Sequence, residues 1–233
     1  MTPNITRRTL AQIIAAAGIG CLVRPARADD GPTEADVSRE AILYDPAAPT
    51  TGNPKGDLNI VVFFDYNCPY CKQSEPLLEK LVKTDGKIRL VYKDWPILTP
   101  DSIKGAQWAL AAKYQDRYDA AHFAMMGIPG PKIPAERMRE AIAKSGVDMD
   151  RLDADIQAHG DEITRLLRRN LAQADSLGLM GTPAYIVGDY RVTSALNYEG
   201  FKRVAADARS RPTRKGIDRS TVPFAASSTI SGF

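Results

Sequence analysis

A Cys-x-x-Cys motif between an apolar run and a helical pattern constrains this chain more than any other feature. The apolar run Leu58–Phe64 predicts a buried strand, and Cys68-Pro69-Tyr70-Cys71 follows it at the start of a predicted helix. A thiolate at a helix N-terminus is stabilised by unpaired backbone N–H groups and by the helix dipole, which lower its pKa. The second cysteine comes one helical turn later and can close a disulfide with the first. The pair therefore predicts a redox-active dithiol.

The same motif also occurs as half of a zinc site, which needs two further ligands. The chain has two histidines, His122 and His159, and neither belongs to a ligand-spaced pair. We therefore predict no metal site, and we expect both histidines to be helix-surface residues.

The first 28 residues have the pattern of an export signal. Two arginines, Arg7 and Arg8, precede an apolar stretch from residue 10 to residue 23, and residues 26–28 form a small-x-small cleavage site. The stretch is too short for a membrane span, which needs about 20 apolar residues. The segment Thr6–Leu10 also resembles a twin-arginine signal, whereas Gly20-Cys21 leaves open a lipoprotein site at which Cys21 would be acylated.

Cleavage after Ala28 would change both the charge and the cysteine count. Residues 1–28 hold four arginines and no acid, so the formal net charge of +3 becomes −1 without them. The chain is then not a polycation, and the basic residues near its C-terminal end are interpreted as a solvated face. Cys21 is also lost, which leaves Cys68 and Cys71 alone in an exported protein. No structural disulfide framework is then possible, so the pair is expected to be a working couple.

The remaining pattern predicts strands around a helical block. Residues 29–57 are expected to be an extended lead-in segment, too rich in proline and glycine for a helix, with at most a short strand around Ala41–Tyr44. A helix from Pro69 to Lys83, kinked at Pro76, leads to a second buried strand at Ile88–Tyr92. Because a helix connects the two strands, they are predicted to be parallel.

Residues 101–177 are predicted to form several helices, over Ser102–Tyr118, Pro134–Lys144 and Asp150–Leu177. Strand character returns at Ala184–Val187, and a short strand at residues 190–192 follows the turn at residues 188–189. A last helix is predicted from Tyr198 to about residue 209. Residues 210–233 show no periodicity and are expected to be a flexible tail.

A second motif, Gly181-Thr182-Pro183-Ala184, stands directly before the predicted strand at 184–187. Proline is tolerated at the first position of a strand, and a cis bond there would present the Thr182 backbone to an extended partner segment. By itself the motif fits a plain turn. Together with the two cysteines it indicates a substrate site.

These features together resemble the DsbA family of exported thiol-disulfide oxidoreductases, over about Ile42 to Ala208. The resemblance is carried by residues 63–72, 76, 93–98 and 181–184, and residues 53–57 are similar to the Com1-like or ScsC-like branch. It implies an α/β, thioredoxin-like fold with an inserted α-helical domain. The thioredoxin-like domain would comprise residues 58–100 and 178–209, and the inserted domain residues 101–177.

The resemblance also implies roles for single residues. Cys68 would be the exposed nucleophile and Cys71 the buried resolving thiol. Pro183 would be a cis proline beside the disulfide, where it would bind substrate together with Thr182.

Four positions bear on the strength of this dithiol as an oxidant. Many relatives carry an acid six residues before the first cysteine, which assists proton transfer at the buried thiol, but this chain has Val62 there. Asp65 is a substitute for proton transfer, with a strand-end cap or a surface carboxylate as the alternative. The residues between the cysteines, Pro69 and Tyr70, would tune the thiolate. Strongly oxidising relatives have histidine in this dipeptide, so we expect a potential less oxidising than the ~−120 mV of DsbA.

The resemblance implies a periplasmic enzyme that exchanges disulfides with exported client proteins and with a membrane redox partner. Its only redox group would be the Cys68–Cys71 disulfide, with no other cofactor and no nucleic-acid partner. Only residues 29–41 precede the first predicted strand, too few for three heptads of coiled coil, so we expect a monomeric oxidase. The alternatives are a disulfide isomerase or reductase, a cytosolic glutaredoxin-like reductase, and a Cu(I)-binding copper-tolerance protein, since soft thiolates select Cu(I).

Overall fold

The structure is a computed structural model that describes residues 31–210. The predicted export signal at residues 1–28 lies outside the described residues, as does the predicted tail at residues 210–233 except for Ser210, which is helical. The helices and strands are α1 (Arg39–Tyr44), β1 (Thr50–Gly52), β2 (Leu58–Phe64), α2 (Pro69–Asp85), β3 (Ile88–Asp94), α3 (Pro100–Ala112), α4 (Tyr118–Met126), α5 (Ala135–Lys144), α6 (Met149–Ser176), β4 (Ala184–Val187), β5 (Tyr190–Val192) and α7 (Tyr198–Ser210). No helix in this part of the chain is long and apolar enough to cross a membrane.

The five strands form one mixed sheet in the order β1-β3-β2-β4-β5. As predicted, β2 and β3 are parallel, and α2 makes the crossover that parallel neighbours require. The other pairs are antiparallel, and Ala184 of β4 lies opposite Phe63 of β2. Because β4 runs against β2, its first residues lie beside the last residues of β2. This register brings residues 182 and 183 to the segment that carries the cysteines.

Both faces of the sheet are covered, which explains the continuous apolar character of β2. On one face, Leu58, Ile60, Val62 and Phe64 belong to a hydrophobic cluster that includes residues of α2 and α7. The same cluster continues without a break into α3, α4, α5 and α6. On the other face, Val61 and Phe63 pack in a second cluster with residues of α1 and the end of α6. The helical block and the sheet therefore share one core.

The helical block differs from the prediction in its first half. The helix expected over Ser102–Tyr118 is interrupted by a 3₁₀ turn at Lys113–Gln115 and by Asp116, whose φ of 57° is left-handed. A separate helix, α4, then begins at Tyr118, whereas α5 lies close to its predicted range. Helix α6 runs for 28 residues without a break from its N-cap, Asp148.

The prediction of an extended lead-in segment with a strand around Ala41–Tyr44 is wrong, because this stretch is helix α1. The hydroxyl of Ser38 caps the helix by accepting a hydrogen bond from the Ala41 N–H. No proline or glycine lies between Ser38 and Tyr44, and Ile42 and Leu43 bury the inner face of the helix. The strand of this segment lies later, at Thr50–Gly52, where it pairs with β3.

Candidate active site

Cys68 lies at the junction between β2 and α2, where the backbone presents unpaired N–H groups. It is the N-cap residue of α2, and Pro69 occupies the first turn of that helix. Its Sγ accepts a hydrogen bond from the Cys71 N–H at 3.3 Å and, in the protonated form, donates one to the Thr182 carbonyl at 3.2 Å. Both cysteines are free thiols in the structure. The helix start and the segment before β4 therefore meet at one sulfur atom.

The two thiols have opposite electrostatic environments. The Cys71 thiol makes the largest contribution to the lowered pKa of Cys68, which is about 6; the Thr182 hydroxyl and the backbone N–H groups of Tyr70 and Cys71 add to it. Burial, followed by the hydrogen bond and the charge of Cys68, raises the pKa of Cys71 far above its usual range. At neutral pH, Cys68 is therefore a thiolate and Cys71 is a thiol.

Cys68 is not the exposed thiol that the resemblance implied, since only 2% of the residue is accessible to solvent. The reason is its hydrogen bond to Thr182, a residue 114 positions away, which turns Sγ towards the loop before β4. Tyr70, between the two cysteines, is the exposed residue of the motif, with 60% of its surface accessible.

The second predicted motif lies against the first. The Thr182–Pro183 peptide bond is cis, and the Thr182 carbonyl is the acceptor for the Cys68 thiol. Val62, at the position where many relatives carry an acid, belongs to the same apolar cluster as Cys68 and Cys71. The side of the dithiol that faces β2 is therefore apolar.

Asp65 lies at the end of β2, but it is not a surface carboxylate, because only 1% of the residue is exposed. Its Oδ1 accepts hydrogen bonds from the Asn67 N–H and the Ser102 hydroxyl, both at 2.7 Å. Its Oδ2 accepts from the N–H groups of Ile97 and Leu98, at 2.8 and 2.9 Å. Each carboxylate oxygen thus has two donors.

Asn67 is a second buried polar anchor, and the sequence interpretation missed it. Its amide Nδ2 donates to the Thr99 hydroxyl at 2.8 Å, and its Oδ1 accepts from the Ile133 N–H at 2.6 Å. The only sequence signal for it is a polar residue directly before the first cysteine. Together with Asp65, it ties the loop after β3, the start of α3 and the loop before α5 to the residues that precede Cys68.

Exposed apolar side chains are concentrated on the segments that meet at this site. Among residues 31–210, seven large apolar side chains are exposed, and five of them lie on segments that contact residues 65–71. These five, which we call the apolar rim, are Tyr70 (60%), Ile97 (41%), Leu98 (48%), Ile103 (44%) and Met180 (94%). Such a concentration of exposed apolar surface marks an interaction site.

Of the two histidines that we expected at helix surfaces, His159 lies at the surface of α6 and His122 does not. His122 is completely buried: its Nδ1 lies 3.1 Å from the Tyr66 hydroxyl, and its Nε2 lies 3.2 Å from Oε1 of Glu75. The Tyr92 hydroxyl donates to the same Glu75 oxygen. His159 is partly buried and stacks on the ring of Tyr114 at 3.7 Å.

Within residues 31–210, no group of three or more His, Cys, Asp or Glu side chains is arranged to hold a metal ion. The described residues instead bring together one thiolate, Cys68, and one protonated thiol, Cys71. The chemistry of this pair is nucleophilic attack by one thiolate and resolution by the other thiol.

Comparison with known proteins agrees with this geometry. The family model described as Thioredoxin matches residues 45–207. A thioredoxin-like oxidoreductase from Silicibacter pomeroyi DSS-3 is 37% identical, with a TM-score of 0.70 over 75% of this chain and 99% of that chain. The catalytic domain of Proteus mirabilis ScsC is 26% identical, with a TM-score of 0.68 over 77% of this chain and 100% of that domain.

Curated relatives include thiol:disulfide interchange proteins and Na(+)/H(+) antiporters. The thiol:disulfide interchange protein DsbA of Bordetella pertussis is 26% identical over 204 residues, which cover 84% of this chain and 93% of that protein. The Na(+)/H(+) antiporter NhaA 3 of Salinispora tropica is 26% identical over 172 residues, and this match spans 69% of this chain but only 25% of the antiporter. The family model covers more than half of the chain, and the site has the paired thiols of a thioredoxin fold. The chain therefore belongs to the thioredoxin family and is DsbA-like.

Proposed function

We propose that the protein is a periplasmic thiol-disulfide oxidoreductase that acts mainly as an oxidase of exported proteins. The observation that carries the proposal is the asymmetry of the dithiol, in which the pKa of Cys68 is about 6 and that of Cys71 is strongly raised. A stabilised Cys68 thiolate is a good leaving group, and it favours the reduced form of the pair. The pair therefore tends to accept electrons from client thiols.

The reaction begins from the Cys68–Cys71 disulfide. A client thiolate attacks Sγ of Cys68, the bond between the two cysteines breaks, and Cys71 leaves and takes up a proton. A second client thiolate then attacks the client sulfur of the mixed disulfide, and Cys68 leaves as a thiolate. The client gains a disulfide, and its two electrons remain on the protein as the Cys68 thiolate and the Cys71 thiol.

The pKa of Cys68 also sets the expected strength of this oxidant. A value of about 6 lies between roughly 3.5 for DsbA and roughly 7 for thioredoxin. The uncharged Tyr70 agrees with this position, because it adds no positive charge beside the thiolate. We therefore expect a reduction potential less oxidising than the ~−120 mV of DsbA and nearer the roughly −200 mV of glutaredoxins.

The exposed apolar surface at the site suits the clients that we propose. The apolar rim fits an extended, unfolded segment of an exported polypeptide, and Thr182 and Pro183 would bind that segment beside Cys68. A membrane redox partner would reoxidise the dithiol. The predicted export signal, which resembles a twin-arginine signal in part, supports a periplasmic location.

The test is oxidative refolding of reduced ribonuclease by the oxidised protein, together with redox titration against glutathione. We expect client disulfides to form and no reaction by the Cys68→Ala variant. With scrambled ribonuclease, the Cys68 thiolate of the reduced Cys71→Ser variant should attack a client disulfide, release one client thiol and remain trapped as a mixed disulfide. A potential as high as that of DsbA would contradict the expected strength. Strong isomerisation of scrambled ribonuclease by a dimeric or trimeric protein would replace the oxidase with an isomerase. Tight Cu(I) binding without any disulfide exchange would contradict the proposal altogether.

A further inference from the structure

The buried carboxylate of Asp65 binds the backbone of two residues whose apolar side chains are exposed. The backbone N–H groups of Ile97 and Leu98 both point to its Oδ2, although both side chains are exposed. The Asp65 carbonyl also accepts the Cys68 N–H at 3.0 Å. One buried residue therefore links two residues of the loop between β3 and α3 to the backbone of the nucleophile.

This arrangement does not suit proton transfer. All four groups around the carboxylate are donors, and hydrogen bonds to a charged acceptor are stronger than those between neutral groups. A proton on either oxygen would displace one of these donors. The carboxylate thus acts as a fixed acceptor for backbone N–H groups.

A fixed loop lowers the cost of binding. An apolar surface that is ordered before a client arrives does not lose conformational freedom on contact, so more of its contact energy appears as affinity. Ile97 and Leu98 would otherwise lie on a loop without regular hydrogen bonds between β3 and α3.

We propose that Asp65 is a positioning residue for client binding, which holds Ile97 and Leu98 beside the dithiol as an ordered apolar contact for a cysteine-containing polypeptide. The proposal rests on the proposed oxidoreductase function. It assigns to Asp65 an effect on client affinity that exchange with a small dithiol does not share.

The test compares two substrates of the oxidised protein: a reduced two-cysteine peptide with leucine on both sides of each cysteine, and dithiothreitol. For the Ile97→Ala/Leu98→Ala variant, we expect the ratio of kcat/KM for the peptide to that for dithiothreitol to fall about tenfold. The fall should come from a higher KM for the peptide, and its size is that expected when two apolar contacts are lost from an interface. The matched control, Leu171→Ala, removes a similarly exposed leucine from α6, outside the apolar rim, and should leave the ratio unchanged.

Asp65→Asn replaces one acceptor oxygen by a donor and should lower the same ratio. Because the loop is then no longer held, adding Ile97→Ala/Leu98→Ala to Asp65→Asn should change the ratio less than twofold. Full additivity of the two changes would contradict a positioning role. Use of the ratio removes any change in thiolate reactivity that follows from the lost charge.

Amide hydrogen exchange tests directly whether the hydrogen bonds from Ile97 and Leu98 to Asp65 are stable in the wild-type protein. We expect protected N–H groups at Ile97 and Leu98, and loss of that protection in Asp65→Asn. Unprotected amides in the wild type would overturn the proposal, as would an unchanged peptide ratio in the Ile97→Ala/Leu98→Ala variant. These two measurements test the proposal even if the Asp65→Asn variant does not fold. A wild-type protein that oxidises neither peptide nor dithiothreitol would contradict the proposed function, whereas the exchange data would still report on the anchor.

Discussion

At the scale of single residues, the chemistry depends on two cysteines that differ in protonation although they are one helical turn apart. Cys68 receives hydrogen bonds at the helix start, and Cys71 lies on the inner side of the first turn. The hydrogen bond from Cys71 lowers the pKa of one thiol and raises that of the other. The pair is therefore a single electrostatic unit, and a substitution at either cysteine changes its partner.

The rate of alkylation of the reduced protein by iodoacetamide is expected to follow the Cys68 thiolate, with a midpoint at about pH 6. Below that pH, the rate should fall about tenfold for each pH unit, because the thiolate fraction falls by that factor. Cys68→Ala is the control, since the remaining Cys71 should react slowly up to pH 8. A midpoint near the ordinary cysteine pKa would contradict the assigned environment.

The same pKa couples redox state to stability. The folded pKa of Cys68 is depressed, so ionisation stabilises the reduced fold above the ordinary cysteine pKa, and this contribution is lost as the pH falls through about 6. Urea unfolding of reduced and oxidised protein at several pH values should show a reduced form that loses stability relative to the oxidised form as the pH falls.

At the scale of elements, a buried ion cluster attaches the N-terminal segment to the rest of the fold. Asp45, directly after α1, accepts two hydrogen bonds from Arg169 of α6 and lies 3.4 Å from Nζ of Lys93 at the end of β3. Burial opposes ionisation of Asp45, but Arg169 and Lys93 outweigh it and lower its pKa. Burial also lowers the pKa of Lys93, to about 8. The cluster thus joins α1, β3 and α6.

Asp45→Ala should destabilise the protein by about 3–5 kcal/mol, because it leaves the completely buried Lys93 without its counter-charge. The control is Asp57→Ala, which removes an exposed partner of Arg209 and should cost at most about 1 kcal/mol. Urea unfolding at pH 7 measures both. Equal costs for the two variants would show that the buried cluster does not hold the N-terminal segment.

The elements also show what a sequence pattern can predict. The paired strands β2 and β3 and the helix between them follow from apolar runs and helical spacing, whereas the meeting of Thr182 with the cysteines was implied by the family resemblance. Helix α4 was missed, although its buried residues Tyr118, Ala121, His122 and Met125 have helical spacing. No sequence feature near Cys68 predicts its burial, because the contact that accompanies it comes from Thr182, 114 positions away.

At the scale of the whole molecule, a buried polar network lies between the sheet and the helical block. Asp94 at the end of β3 accepts a hydrogen bond from the Tyr118 hydroxyl at 3.0 Å. Burial raises the pKa of Asp94 to about 6, against the opposing effects of His122, Tyr118 and Tyr66. The folded protein therefore binds a proton at this residue at a pH where the unfolded chain does not.

Stability is then expected to decrease as the pH rises from about 4 to 7, since the folded state binds more protons over this range. The shift from 3.8 to about 6 corresponds to about 3 kcal/mol. Asp94→Asn should remove this part of the pH dependence and be more stable, relative to the wild type, at pH 7 than at pH 4.5. Asp175→Asn, an exposed change on α6, is the control in the same unfolding series. An unchanged profile for Asp94→Asn would place the pH dependence elsewhere.

The uninterrupted hydrophobic cluster from β2 through α6 has a consequence for anyone who re-engineers this scaffold. Helices α3 to α6 cannot be excised as a cassette, because the sheet face and α2 would expose the apolar side chains that these helices cover. A graft near the dithiol is therefore best confined to the loop between β3 and α3, where the exposed side chains of Ile97 and Leu98 can be replaced without opening that shared interior.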